Sequence, residues 1–482
     1  MSQTVTVKNR RWAALGVLSA AVLLLSIDGT VLALAVPSLT ESLSPTAEQV
    51  IWIGDIYSLA LAGLLALMGN LADRIGRKRI LLAGSVLFGA VSLLAAFATS
   101  AEELIIARLL LGVAGATLMP STLSLIRNIF PDDAERTRAI AVWSAAFGAG
   151  SAAGPMVGGF LLEHFWWGSV FLINVPVMVV LVVSGIFLLP ESRDPNPGRF
   201  DWPSAFLSML AVVPIVFAIT HLSAWPLAAV GLLAGWLFVR RQRRLPNPML
   251  DVDLFRSPAF SGAVAANVIS IFGLVGLLFF FSQYLQFARG FTPLQAGLAE
   301  LPATIASMVV VALVGIAITR LGRGRAIAAS LAVAAAGLAL VAPAASQPWY
   351  GWLALCLVPV GLGVGLSMTL AGDAIISAAP PRKAGSVSAV TETANELGVV
   401  LGIAVLGSLL TSVYRSTLGL PSSAAASDSL GSALRVLDPV RDATLIQSAK
   451  DAFLYAMQAT SLVAAGLMFV AAVVAWRLIP SR

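Results

Sequence analysis

Apolar residues fall in long uninterrupted runs along this chain, not in the alternation of a half-buried strand or the narrow stripe of a surface helix. A hydrocarbon layer about 30 Å thick takes about 20 apolar residues to cross as a helix. Runs of that kind, separated by charged or Pro/Gly breaks, lie near 12–36, 49–71, 80–98, 104–126, 139–162, 168–189, 204–220, 224–239, 259–285, 294–318, 326–344, 349–372, 386–412 and 455–476. They predict an all-α integral membrane protein with 14 transmembrane helices. The first run follows Lys8, Arg10 and Arg11 as a secretory signal would, but about 25 apolar residues exceed the short core of a signal. It is expected to stay as a span.

Composition supports the same class. Only 11% of the 482 residues are charged and 58% are hydrophobic, whereas a soluble domain carries roughly 25% charged residues; the mean hydropathy is +0.91. A soluble enzyme, a nucleic-acid binder and a disordered scaffold are excluded together. Cys356 is the single cysteine, and His164 and His221 are the only histidines, so neither a disulfide framework nor a metal centre is expected. The sequence holds no phosphate loop and no G-x-S-x-G. We therefore expect no enzyme activity and no cofactor.

The net charge of +6 acquires its meaning from position. With the N-terminus placed in the cytoplasm, the inner segments carry 24 of the 30 Lys and Arg, the outer segments carry five (Arg289, Arg415, Arg435, Arg441 and Lys450), and Arg108 falls inside a span. This asymmetry follows the positive-inside rule and puts both termini in the cytoplasm. The basic residues then serve as topological anchors, with no nucleic-acid partner. The longest outer loop, about 413–454, reads as a solvated cap with short amphipathic helices.

Two inner loops resemble each other. Gly69-Asn-Leu-Ala-Asp73-Arg74-Ile-Gly76-Arg77-Lys78-Arg79 follows the second run, and Thr319-Arg320-Leu-Gly322-Arg323-Gly-Arg325 follows the tenth as a degraded copy. Such repetition suggests two six-helix halves separated by an inserted pair: residues 1–190, a two-helix insert over 191–256, and 257–482 with the outer loop.

At these motifs the chain resembles the major facilitator superfamily, and within it the fourteen-span drug:proton antiporter family of QacA- and LfrA-like multidrug efflux pumps. The first loop matches the superfamily's G-x-x-x-D-R-x-G-R-[RK] signature. Leu104 to Ala116, with Arg108 and Gly112, matches the fourth-span pattern. Gly150-Ser-Ala-Ala-Gly154-Pro155-Met-Val-Gly158-Gly159 matches the antiporter signature of the fifth span, and Asp28-Gly-Thr30 through Pro37 matches the first-span motif. Trp52 to Gly63, Pro120 to Phe130, Phe171 to Pro176 and Pro190-Glu-Ser are similar as well. Gly168 departs from the pattern, standing where many relatives have arginine, and so does Ser307, where some carry a further acid.

A charge at the bilayer centre costs about 2.5–3.5 kcal/mol on insertion scales, so the few at membrane depth invite a use. They are Asp28, Asp55, Arg108, Glu300, Glu392 and Glu396, with Asp373 near an inner end. Asp28 and Arg108 lie at depths that allow a pair, in which desolvation and the guanidinium would pull the carboxyl's protonation in opposite directions; Arg108 would otherwise brace its own span. Glu392 and Glu396 are four apart and share a helix face, where two like charges seldom ionise together. That is the chemistry needed to exchange protons for a lipophilic cation, and the resemblance implies the same role for the first-span acid. Asp55 reads as an entrance residue or an interfacial anchor, and Glu300 as peripheral or snorkelling. Trp52, Tyr57, Trp143, Phe147, Phe281 and Tyr284 would hold a flat cation by cation-π contact or face lipid.

Gly150, Gly154, Pro155, Gly158 and Gly159 form a small-residue face that admits a neighbouring helix, and the resemblance implies a seal against proton leak. Gly69, Asp73, Arg74, Gly76 and Arg77 make an inner turn whose aspartate would accept at the N-terminus of the thirteenth span and gate the cytoplasmic side. The expected protein is a monomeric, proton-coupled exporter in the bacterial cytoplasmic membrane. Its substrates would be cationic drugs: quaternary ammonium compounds, cationic dyes and fluoroquinolones. The alternatives are export of one endogenous metabolite or antibiotic, and proton-coupled uptake, which the antiporter signature and the excess of acids disfavour.

Overall fold

The computed structural model describes residues 2–193, 201–220, 224–245, 248, 250, 252–377, 384–420 and 425–479, and these are helical nearly throughout. Each apolar run becomes a helix because hydrocarbon leaves backbone N–H and C=O groups no partner but one another. The helices in chain order are α1 (Ser2–Leu43), α2 (Ala47–Ile75), α3 (Arg77–Ala96), α4 (Ala101–Ile129), α5 (Asp133–His164), the short α6 (Ser169–Leu172) leading into α7 (Asn174–Leu188), α8 (Trp202–Thr220), α9 (Trp225–Gln242), α10 (Pro258–Gln283), α11 (Pro293–Val309), α12 (Val314–Leu321), α13 (Arg323–Ala345), α14 (Tyr350–Ser377), α15 (Ala384–Leu418), α16 (Leu430–Val436) and α17 (Ala443–Leu478).

Among the described residues, twelve helices are long and apolar enough to cross a membrane, and thirteen if α11 and α12, bent by 58° from each other, form one span. Every run of the sequence reading is a helix, but α9 falls short of that test because its last turn is Arg240, Arg241 and Gln242. The basic residues Arg199, Arg382, Lys383 and Arg482, and His221, lie outside the described residues.

Helices α1–α7 pack chiefly on one another, as do α10–α17; the two groups meet where α2 lies along α15 and α5 along α11. Helices α8 and α9 pack on each other, and α8 touches both α2 and α15. The two similar loops fold alike. Gly76 (φ 127°) turns α2 into α3 and Gly322 (φ 74°) turns α12 into α13, a backbone conformation that costs side-chain-bearing residues and not glycine.

Contacts between the groups concentrate at the end of the bundle opposite the basic loops. Gln286 Nε2 donates to Leu34 O at 3.1 Å, and Glu163 of α5 accepts from Thr292 Oγ1 at 3.0 Å and Leu294 N at 3.3 Å. The long loop joins in, which corrects its reading as a solvated cap. Asp428 accepts from Ala47 N at 2.7 Å, at the start of α2, while paired to Arg415 at 2.5 Å. Arg435 of α16 donates to Thr40 O near the end of α1 at 3.0 Å. An acid at a helix N-terminus and a base near a C-terminus both complement the helix dipole.

Candidate functional site

Arg108 is the centre of the buried polar network. Ser100 starts α4 by accepting from Glu103 N at 3.2 Å, and about two turns further along Arg108 points into the first helix group, 2% exposed. Gly112, one turn on, lets α4 lie directly on α2, since a Cβ there would stand 2.5 Å from Tyr57 O. This approach delivers the guanidinium to three partners. Its Nη1 donates to Asp28 Oδ2 at 3.2 Å, its Nε donates to Ile53 O at 3.2 Å, and its carbon lies 4.5 Å from the centre of the Tyr57 ring. The other Asp28 oxygen accepts from Asn174 Nδ2 of α7 at 2.8 Å, and the same amide reaches Ser92 Oγ of α3 at 3.2 Å. A buried ion pair survives desolvation only when its remaining lone pairs and protons are also satisfied, and here the amide and two backbone or ring contacts do that. The predicted Asp28–Arg108 pair is present, which goes beyond bracing α4.

Across the meeting line of the two groups stands Glu396 of α15. Ser58 of α2 lies against its carboxylate, and Arg108, Glu392 and the Tyr57 hydroxyl are within its electrostatic reach. Glu392, one turn nearer the basic end, accepts from Asn395 Nδ2 at 3.4 Å, and Asn395 Oδ1 accepts from Asn267 Nδ2 of α10 at 2.7 Å. Both glutamates are only partly buried. One guanidinium thus pairs with Asp28 and lies within electrostatic reach of Glu396, an acid from the other helix group.

Two readings need correction. Asp55 is 1% exposed with neither carboxylate oxygen hydrogen-bonded among the described residues, so it is no interfacial anchor. Glu300 is 3% exposed with Oε1 equally unpartnered, so it neither snorkels nor lies at the periphery. Asp373 pairs with Arg323 at 2.7 Å at the basic end.

The aromatic candidates divide. Phe281 is fully buried; Tyr284 is 3% exposed, donates to Ala345 O at 2.6 Å and accepts from Arg289 Nε at 2.7 Å, so both belong to the core and neither can hold a substrate. Tyr57 makes its cation-π contact with the protein's own Arg108, and Trp52 turns to Phe217 of the inserted pair at 5.9 Å. Trp143 Nε1 donates to Thr122 Oγ1 at 3.2 Å and remains partly open, as does Phe147.

The glycine face of α5 packs two ways. Gly150, Gly154 and Gly158 receive Leu23, Thr30 and Val31 of α1, and Gly159 lies on Leu294 of α11, whose Cα would be 2.7 Å from an added Cβ. Pro155 sits inside a continuous α5 and its carbonyl rests on Gly297 of α11. In the turn after α2, Gly69 lies by Pro120 and Arg74 is exposed. Asp73 accepts from Arg77 Nε at 2.9 Å within its own turn. Arg77 also reaches Ser192 Oγ at 3.0 Å, and Glu191 accepts from Lys78 N at 3.3 Å, so the turn is tied to the segment after α7. The contact expected at the start of α15 abuts residues 378–383, outside the described residues.

Asn174, Ser92, Ser58, Asn267 and Asn395 were not anticipated. Sorting only charges by depth passed over them, although an amide inside an apolar run, as at Asn174, is itself a signal.

A helical bundle with apolar outer surfaces and a buried ion pair inside is a multi-pass membrane protein, and the comparisons make it a transporter. The profile of the Major Facilitator Superfamily matches residues 18–403, and the chain belongs to that family. It is 47% identical to the multidrug efflux pump LfrA of Mycolicibacterium smegmatis, over 98% of this chain and 97% of that one. It is 35% identical to the methyl viologen resistance protein SmvA of Salmonella typhimurium, over 97% and 98%, and 33% identical to a tetracenomycin C resistance and export protein of Streptomyces glaucescens, over 84% and 77%. Among solved structures, a bacterial homologue of the lysosomal transporter Spinster superposes with a TM-score of 0.70 at 17% identity, over 98% and 99%, which speaks to the fold.

Proposed function

We propose that this chain is a proton-driven exporter of lipophilic cations in the bacterial cytoplasmic membrane, of the fourteen-span drug:proton antiporter type. In this reading α9 spans despite its basic end, both termini are cytoplasmic, and residues 1–190 and 257–482 are halves that rock about a site between them, with 191–256 inserted. The contacts at the non-basic end then describe a protein closed to the outside.

The observation that carries the proposal is the buried Asp28–Arg108 pair, with Glu396 of the other helix group within electrostatic reach of the same guanidinium. A proton arriving on Asp28 dissolves its ion pair with Arg108 and leaves the guanidinium's charge to be answered by Glu396. A cationic drug bound at Glu396 is then in competition with Arg108 for one carboxylate, and is released. Loss of the proton to the cytoplasm restores the Asp28 pair and frees Glu396, with Glu392 beside it, for the next cation. Trp143 and Phe147 are the aromatics left open enough to contact a flat ring.

The names of the relatives support export of drugs: multidrug efflux for one, resistance to the dication methyl viologen for another. Cells expressing the protein should extrude ethidium, and a protonophore should abolish the extrusion. Efflux that persists without a proton gradient, or in Asp28→Asn, would refute the mechanism. A second reading, export of one antibiotic, is favoured by the tetracenomycin C relative; a resistance screen with cationic dyes, biocides and fluoroquinolones separates the two.

A further inference from the structure

The mechanism proposed above makes no use of Glu300, although leaving a buried carboxyl oxygen without a partner is costly for a fold. Its place in the two halves shows what it matches. Helices α2 and α11 are each the second long helix of their group, and each opens with the same device. Thr46 Oγ1 accepts from Gln49 N at 3.2 Å while Gln49 Oε1 accepts from Thr46 N at 2.9 Å. Thr292 Oγ1 accepts from Gln295 N at 3.2 Å while Gln295 Oε1 accepts from Thr292 N at 3.1 Å. Each helix run then ends at a positive-φ glycine, Gly76 or Gly322. Counted from these matching caps, Asp55 and Glu300 stand at nearly the same depth, about 12–14 Å inward at 1.5 Å per residue. Both are almost fully buried, and both carboxylate oxygens of Asp55 and Oε1 of Glu300 have no hydrogen-bond partner among the described residues.

Each acid also sits just beneath a contact between the halves. Gly54, beside Asp55, lies under Phe279 and Ile403, which would be 3.1 Å and 3.3 Å from an added Cβ. Gly297, about one turn outward of Glu300, lies under Pro155. A buried acid with an unpartnered oxygen beneath a closed contact is accommodated in its neutral form; once the outer ends part, water can reach it and solvate the anion.

We infer that Glu300 is a proton-binding site of the second half, the counterpart of Asp55 in the first, exchanging its proton with the outside when the outer ends separate. The inference rests on the proton-driven reading above. The other titratable groups around Glu300 are already engaged. Tyr350 of α14 bonds Ala299 O, Arg289 holds Tyr284, Ala345 O and Pro348 O, and Glu163 of α5 holds Thr292 and Leu294. Of the titratable groups on the helices packed against α2, Arg108 of α4 is engaged by Asp28 and Ile53 O, and Glu392 of α15 by Asn395.

The test uses the full-length protein in proteoliposomes, with ethidium as the probe and an internal pH dye to count protons. Glu300→Gln should still move ethidium, with fewer protons exchanged per dye molecule and a flatter dependence on outside pH, and Glu300→Asp should restore both. Wild-type stoichiometry and pH profile in Glu300→Gln would overturn the inference. Ethidium movement by the wild type without any proton flux would instead overturn the reading beneath it. Should the variant fold poorly, carbodiimide labelling of the wild type decides: modification of Glu300 that falls as pH rises supports the site, and no modification at any pH refutes it.

Discussion

The two helix groups differ in the base each brings to its buried acids. The first neutralises one of its two: Asp28 is held by Arg108 and Asn174, with Ser92 behind the amide, while Asp55 has no hydrogen-bond partner among the described residues. The second brings acids, Glu392, Glu396 and Glu300, and among the described residues its span interiors hold no base to answer them. The groups nearest Glu396 come from across the gap: Ser58 lies against its carboxylate, and Arg108 is within electrostatic reach. A paired charge can stabilise one arrangement of helices, whereas an acid whose base belongs to the other half ties its protonation to how the halves sit. In the proposed function the first group acts as a fixed socket and the second as the part that registers protons and cations.

The largest expected effect breaks the socket. Arg108→Leu leaves Asp28 buried without its base, and removing one member of a buried pair costs about 3–5 kcal/mol. Thermal denaturation in detergent should show a large loss of stability, and Asp28→Asn combined with it should recover much of the loss. A double variant no more stable than Arg108→Leu would mean the pair is incidental.

Next comes the sensor. Glu396→Gln keeps the shape and the neighbour Ser58 but removes the negative charge, and a hydrogen bond to a charged group is worth about 1.5–3 kcal/mol. Ethidium affinity should fall about tenfold to a hundredfold with little change in melting temperature. The opposite pattern, lost stability with intact affinity, would make Glu396 part of the socket.

Smaller still is the clasp at the outer end. Asp428→Asn and Arg435→Gln each remove a charge from a helix end, worth about 0.3–1 kcal/mol, so each should shift the balance toward an open outer end by a factor of about two to five. Distances between spin labels at the outer ends of α5 and α11 would report it. Unchanged distributions in both variants would return the loop to a passive cap.

Much of this was legible in the sequence for a simple reason: hydrocarbon punishes charge and rewards length. Run length located the helices, and depth singled out Asp28 and Arg108 as partners before any coordinates. Direction was not legible. Periodicity cannot say that Phe281 and Tyr284 look into a core, that Trp52 meets α8, or that Asp55 and Glu300 turn inward instead of toward a headgroup, because a helix in lipid can be apolar on all sides. The clasp escaped for another reason. Asp428 and Arg435 lie in a polar loop where charges are cheap, so nothing in their residue types separates a latch from a solvated turn.

The smallest effect lies in the insert, outside the comparison of the halves, and serves as its control. Asp201 at the start of α8 pairs with Arg241 Nη2 near the end of α9 at 2.6 Å, and Ser204 bonds both Asp201 and Gln242. Partial burial works against the Asp201 anion, but the hydrogen bonds from Arg241 and Ser204 and the guanidinium's charge outweigh it and hold the carboxyl below its ordinary range. A group whose folded value is depressed contributes stability that is full above its unfolded value and disappears as pH falls through the folded one. The tie should therefore persist through neutral and mildly acidic pH and loosen only below the usual carboxylate range. Being partly exposed, it is worth about 0.5 kcal/mol or less. Hydrogen exchange should show the facing ends of α8 and α9 loosening slightly in Arg241→Gln at neutral pH, with ethidium transport unchanged. Loss of transport in that variant would mean that the insert takes part in the exchange between the halves.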